Sequence, residues 1–163
     1  MNEAEYLAGL LNNTRVLAYF YLDKLNNSDW FEQFDVQGNR INSVAWNLAH
    51  MAWAQNFFVL VATGNTAVNI RWLDLFKIGS DPVPHALYPN RADILSAFEN
   101  IHTLALHQVR TMSKEQLDEP NLIELKFSNG QSQRLAIHHH LRHEGTHIGH
   151  LALLAKMHGL HTI

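Results

Sequence analysis

The chain has 163 residues, 47% of them hydrophobic and 17% charged, which suits one domain with a real core. Its net charge of −3 argues against a broad nucleic-acid-binding surface. The absence of cysteine excludes disulfides, thiolate metal sites and a cysteine nucleophile, and the opening MNEAEYLAGLL lacks the basic stretch of a signal peptide, which points to the cytoplasm.

Taken in chain order, helical periodicity first runs from about Glu3 to Leu25, along a mostly apolar seam of Leu7, Leu11, Thr14, Ala18, Tyr21 and Leu25. A second helix starts after Asn42 or Ser43, both good N-caps, and runs to Gly64, a natural C-terminal glycine. Its stretch VAWNLAHMAWAQNFFVLVAT approaches the length of a bilayer span. Asn47, His50, Gln55 and Asn56 inside it are costly in lipid, so it reads as a buried helix and not a membrane segment. Residues 65–89 form a long crossover in which WLDLF is a short helical turn.

A third helix follows Asn90, with Asp93 in its first turn and a seam of Ile94, Phe98, Ile101, Ala105, Val109 and Met112. Ser113 and Gln116 have capping-box spacing and open another short helix. LIELKFSNGQ alternates and holds Asn-Gly, the signal of a small extended turn or hairpin. A fourth long helix runs from about Ser132 to His158, with Gly159 behind it. The expected architecture is all-α: one four-helix bundle over residues 1–163, with long crossover connections and small extra helical turns. The unequal connections do not require simple up-down-up-down topology.

Twelve histidines in 163 residues is a high number, and most lie beyond residue 137. At about 100° per residue, His139, His140, His143, His147 and His150 share an arc of roughly 100° on the last helix, and His138 points away. Ala136 and Leu154 lie inside the same arc, so it should face the core. Burying several imidazoles without partners is costly. On the second helix His50 sits in the middle of an apolar and aromatic stripe with Trp46, Trp53, Phe57 and Val61. One core histidine from there and an i,i+4 pair from the last helix would give three nitrogen ligands and one open position, the arrangement of a catalytic metal site. His138, His158 and His161 read as surface or helix-end groups, and His139, His140 and His150 as candidate neighbours that orient ligands.

The string HEGTH, His143 to His147, matches the H-E-x-x-H of zinc peptidases. A third ligand is missing: no acid follows Glu144, and the extended pattern would need glycine at His150 and histidine at Leu153. Glu144 is expected either to flank the site or to face a neighbouring helix.

The segments INSVAWNLAHMAWAQ, WLDLFKIGSDP, YPNRADILSAFENI and LRHEGTHIGHLALLAKMHG, in this order, resemble those of the DinB-like family of bacterial four-helix bundles. The resemblance implies metal ligands at His50, His143 and His147, holding a divalent ion, most often zinc or nickel. It further implies a small-molecule substrate, a homodimer, and activity as a thiol-dependent transferase or as a hydrolase, with a low-molecular-weight thiol as possible co-substrate. The family more usually has glutamine where His150 stands. Asn47 is the nearest polar side chain for orienting a ligand, and Trp46 and Trp53 either wall a substrate cleft or simply pack the core. Two other readings stand beside the enzyme: a non-catalytic metal-binding stress or interaction protein, and a metal-free bundle whose histidines share hydrogen bonds in a wet core.

Overall fold

A computed structural model describes residues 2–162, and every long helix in it begins at a side chain that takes up a free backbone N–H. Helix α1 spans Glu3–Lys24. Asn2 accepts from Glu5 N at 2.8 Å, and the Glu5 carboxylate accepts from Asn2 N at 2.9 Å, a reciprocal capping box. Ser43, rather than Asn42, caps helix α2, Val44–Gln55, by accepting from Trp46 N. Asn90 caps α3, Arg91–Thr111, and Ser132 caps α5, Gln133–Met157. Between these two, Ser113 and Gln116 close a capping box on the short α4, Lys114–Asp118.

The second helix departs from the expected unbroken run to Gly64. After Gln55 the backbone widens into a π-helical segment, Asn56–Leu60, and then tightens into a 3₁₀ turn, Val61–Thr63. The N–H of Val61 reaches back to the carbonyl of Asn56, and Gly64 ends the element with φ of 84°. Asn56 has turned away from the helix to pair with the backbone of Val68, donating at 3.1 Å and accepting at 2.9 Å. A second unanticipated element is the small hairpin of β1, Asp35–Val36, and β2, Asn39–Arg40. Its turn residues Gln37 and Gly38 both have positive φ, as a two-residue turn of matching twist needs. The WLDLF stretch does form a 3₁₀ turn, at Leu73–Phe76, and the Asn-Gly turn is closed by an isolated bridge between Phe127 and Gly130.

Helices α2 and α1 each pack chiefly on both α3 and α5, which gives the cyclic order α1–α3–α2–α5. The connections from α1 to α2 and from α3 to α5 therefore cross the bundle, unlike those of a simple up-and-down bundle. The all-α bundle class holds. Among the described residues no helix is long and apolar enough to cross a membrane.

Most of the expected seams are buried, including Leu7, Leu11, Ala18, Ile94, Phe98, Ile101 and Val109. Thr14 is an exception. It lies partly exposed, and its neighbour Arg15 enters the core at 1% exposure. The Arg15 guanidinium donates from Nε to Glu144 Oε1 at 2.6 Å, from Nη1 to the Phe98 carbonyl at 2.8 Å and from Nη2 to Gln55 Oε1 at 2.8 Å. It also lies 3.5 Å above the Phe98 ring. Since Gln55 Oε1 is taken, its amide nitrogen donates to His102 Nδ1 at 3.1 Å. His102 is thereby an acceptor and neutral, in keeping with a pKa lowered to about 4 by burial and by Arg15.

On the carboxylate's other oxygen, His140 Nε2 stands 2.9 Å away. The two atoms are out of line for a hydrogen bond, so that contact is electrostatic. Burial alone would push the Glu144 carboxyl up. Arg15 and His140 outweigh it and hold the group well below the usual carboxylate range.

All four long helices meet in this network, and its charges have no access to water. Removing one partner strands the other. Arg15→Met should therefore cost about 3–5 kcal/mol of stability in urea unfolding, and Arg15→Met with Glu144→Leu should recover most of that loss.

Candidate metal centre

The α2 side of the site starts from His50, which is 3% exposed. Its ring lies between two indoles: Trp46 stacks at 4.7 Å between centroids with 13° between planes, and Trp53 at 6.0 Å with 21°. These residues are at i−4 and i+3, the neighbours that helical geometry places above and below a side chain. The Phe76 carbonyl stands 2.6 Å from His50 Nδ1. A carbonyl can only accept, so Nδ1 carries the proton and Nε2 keeps its lone pair. The short helical turn in the crossover thus sets the tautomer of a histidine 26 positions earlier.

The α5 side presents His143 and His147, one turn apart. Asn47 fixes His147. Its amide nitrogen donates to the carbonyls of Ser43 at 2.9 Å and Asn42 at 3.2 Å. Its oxygen is then the atom that faces His147 Nδ1 at 2.9 Å, so Nδ1 donates and Nε2 is left free. His143 Nε2 lies 3.1 Å from His50 Nε2. Its Nδ1 is buried without a partner among the described residues.

The three rings form a nearly equilateral triangle, with centroids 5.0, 4.7 and 4.6 Å apart. One nitrogen from each lies within 4.8 Å of the others. Two ligands of a tetrahedral zinc at about 2.0–2.1 Å stand about 3.3 Å apart, close to the distance between His50 Nε2 and His143 Nε2. The donor set fits a divalent ion: neutral imidazoles, lone pairs converging, and outer nitrogens of two of the three engaged by a carbonyl and an amide oxygen.

Burial lowers the pKa of all three histidines. It is the largest cause in each case, and for His143 and His147 the neighbouring imidazoles add to it, bringing both to about 3. They are therefore unprotonated at neutral pH.

The remaining sequence candidates divide. Trp46, Trp53 and Asn47 touch the triangle as described. His150 is exposed and lies edge-on to His147, with ring centroids 5.1 Å apart. It contacts a ligand ring without joining the triangle. Glu144 is a correction: it belongs to neither the cleft nor the shell around the triangle, because its carboxylate is fully buried against Arg15. The sequence reading missed Phe58, whose ring meets His143 at 5.8 Å and His139 at 4.7 Å from the π-helical segment. It also missed the Phe76 carbonyl. No side-chain pattern signals a backbone acceptor, and an uninterrupted helical wheel misplaces residues beyond a π segment.

Residues 10–151 match the family model of the DinB superfamily. No curated protein matches the chain.

The depressed imidazoles make stability depend on pH. In the unfolded chain these histidines take protons near 6.5, while His143 and His147 in the fold resist protonation down to about 3. Between those values the unfolded chain binds more protons, so stability is full above about pH 6.5 and falls as the pH drops toward 3. Urea midpoints of the metal-free protein should decline steadily from pH 7.5 to 4.5. The slope should flatten when His143 and His147 are both replaced by glutamine.

Proposed function

The chain belongs to the DinB superfamily, and from that premise we propose that it is a divalent-metal-dependent enzyme with His50, His143 and His147 as ligands, zinc or nickel as the ion, and a small electrophilic molecule as substrate. The observation that carries this reading is the convergence of three neutral imidazoles from two helices on one point. A divalent ion held there supplies a Lewis acid that lowers the pKa of a water or of a low-molecular-weight thiol, so that a nucleophile exists at neutral pH.

The chain's own residues do the rest. Phe76 and Asn47 hold His50 and His147 in the tautomer that aims Nε2 inward. The stacked Trp46 and Trp53 keep the His50 ring from turning and exclude water from its faces. Three protein ligands leave a coordination position for substrate or co-substrate, the feature that separates catalytic from closed structural sites. No protein nucleophile is needed, since Glu144 is engaged elsewhere. Such a nucleophile serves thiol transfer if it is a thiol and hydrolysis if it is water, and both reaction classes belong to this reading. A non-catalytic metal-binding role predicts instead an ion that takes up no thiol.

Competition titration with a chromophoric chelator tests the ligand set. His143→Ala should lose tight zinc and nickel binding, and Asn47→Ala should weaken it by about 10–100-fold through loss of the His147 orientation. Tight binding undisturbed in His143→Ala would overturn the assignment. Screening low-molecular-weight thiols against electrophiles on the loaded protein then separates transfer from hydrolysis.

A homodimer is a separate proposal. Tyr6, Val16, Leu17 and Phe20 are 52%, 59%, 48% and 45% exposed and share one face of α1, within an arc of roughly 100°. Exposed apolar side chains gathered on one helix face are the kind that mark an interaction surface. Sedimentation should give a dimer for the native chain and a monomer for Leu17→Glu with Phe20→Glu.

A further inference from the structure

Arg40, at the end of β2, is a cation that no ion pair uses. Its neighbour across the hairpin is Asp35, but the Asp35 carboxylate turns away to accept from Gly38 N at 2.8 Å. No carboxylate lies within ion-pair distance of Arg40 among the described residues. Two adjoining recesses share Arg40 and Asn42. One, of about 400 Å³, is walled by Trp46, His85 and Tyr88, with the apolar Val83 beside them. The other, of about 300 Å³, holds Asn47 and His150. No carboxylate lines either.

The aromatic walls of the larger recess come from two separate elements, and each is braced from behind. On α2, Trp46 is stacked on His50. In the crossover, Tyr88 lies 6.1 Å from His85 with 27° between planes, and Phe31 and Phe76 meet its ring edge-on at 5.8 and 5.2 Å. No ring contact joins Trp46 to His85 or Tyr88 among the described residues. The recess therefore separates two fixed aromatic groups, and a flat ring entering it finds π surface on both sides. At the junction of the two recesses the Arg40 guanidinium offers a planar fork of N–H donors, the shape that pairs with a carboxylate. A phosphate dianion would call for a second fixed cation, and the lining has no other Arg and no Lys.

We propose that this cleft binds an aromatic carboxylate, with the carboxylate on Arg40 and the ring between Trp46 and Tyr88. The site lies beside the triangle, since Trp46 stacks on His50 and Asn47 binds His147. None of His50, His143 and His147 lines it, so the site stands with or without a metal. Arg40 selects the charge of the ligand and the aromatic walls select its flatness.

Benzoate is the probe, titrated into the full chain and followed by amide NMR, once with chelator and once with added zinc. Shifts should gather at residues 40–47 and 83–88 in both titrations. Arg40→Gln, a change at an exposed hairpin position, should weaken binding about tenfold, the loss expected when a charge-assisted pair is removed. Arg40→Lys keeps the charge without the fork and should fall between the two. Cyclohexanecarboxylate, with the same charge on a thicker ring, should bind several-fold more weakly than benzoate. Shifts absent from those residues, an affinity unchanged in Arg40→Gln, or shifts that appear only with zinc (a carboxylate on the ion) each overturn the site. Equal affinity for the two carboxylates overturns the place of the ring between Trp46 and Tyr88. Failure of the chain to bind zinc would count against the metal reading alone, because the chelator titration still decides whether the cleft takes benzoate.

Discussion

The ion pair between Arg15 and Glu144 sets the rotation of α5, and the geometry of the site follows from that rotation. Glu144 lies between His143 and His147 in sequence. On a helix, pinning one residue pins the direction of its neighbours, at about 100° per step. With the Glu144 carboxylate held against α1 by Arg15 at 2.6 Å, the face carrying His143 and His147 is turned to α2, where His50 stands. The same guanidinium also binds the Phe98 carbonyl of α3 and the Gln55 amide of α2. One buried cation therefore ties the three other helices to the one that supplies two imidazoles. A hydrophobic replacement of the pair would cost little stability. It would also remove the only directional contact that joins all four helices at one point of the network described here.

The site itself is assembled from the other side by contacts of a different kind. On α2, two indole faces and one backbone carbonyl hold a single ring. Asn47 reaches across to α5, and its own orientation is dictated by two carbonyls at the helix start. The π-helical widening after Gln55 lies between these two systems. It lets Gln55 serve Arg15 and Asn56 serve the crossover at Val68, and it brings Phe58 against His143. Together these contacts present lone pairs that protons compete for weakly. Burial disfavours imidazolium and, with the neighbouring imidazoles, outweighs the raising pull of the Glu144 carboxylate on His143 and His147, so an ion would meet little proton competition at neutral pH.

Much of this was legible in the residues. The helix starts at Ser43, Asn90, Ser113 and Ser132 follow from capping chemistry that depends on one or two side chains and little else. The seams of α1 and α3 follow from burial at a fixed period. The triangle could be anticipated because an i,i+4 pair and a histidine amid aromatics are each out of place on a core face unless something joins them. Arg15 could not. It sits one position past Thr14, where the wheel of an isolated helix puts a half-exposed residue, and only its partners on three other helices make its burial tolerable. The hairpin at residues 35–40 escaped for the opposite reason: its strands are two residues each and exposed, so they carry no hydrophobic alternation.

The string HEGTH shows how one spacing can serve two structures. In a zinc peptidase the acid within H-E-x-x-H must reach the water beside the ion. In this chain His143 and His147 face the site, while Glu144 is turned toward Arg15 and His140 and is fully buried. Its carboxylate is held ionised by a guanidinium, and a group so stabilised is a poor base. Drawing it to the metal side would strand Arg15 in the core and rotate α5, which would carry both histidines off their positions. The same ion pair that aims His143 and His147 at His50 thus turns the acid of HEGTH away from the triangle, which is why the pattern does not carry the role of a peptidase base in this fold.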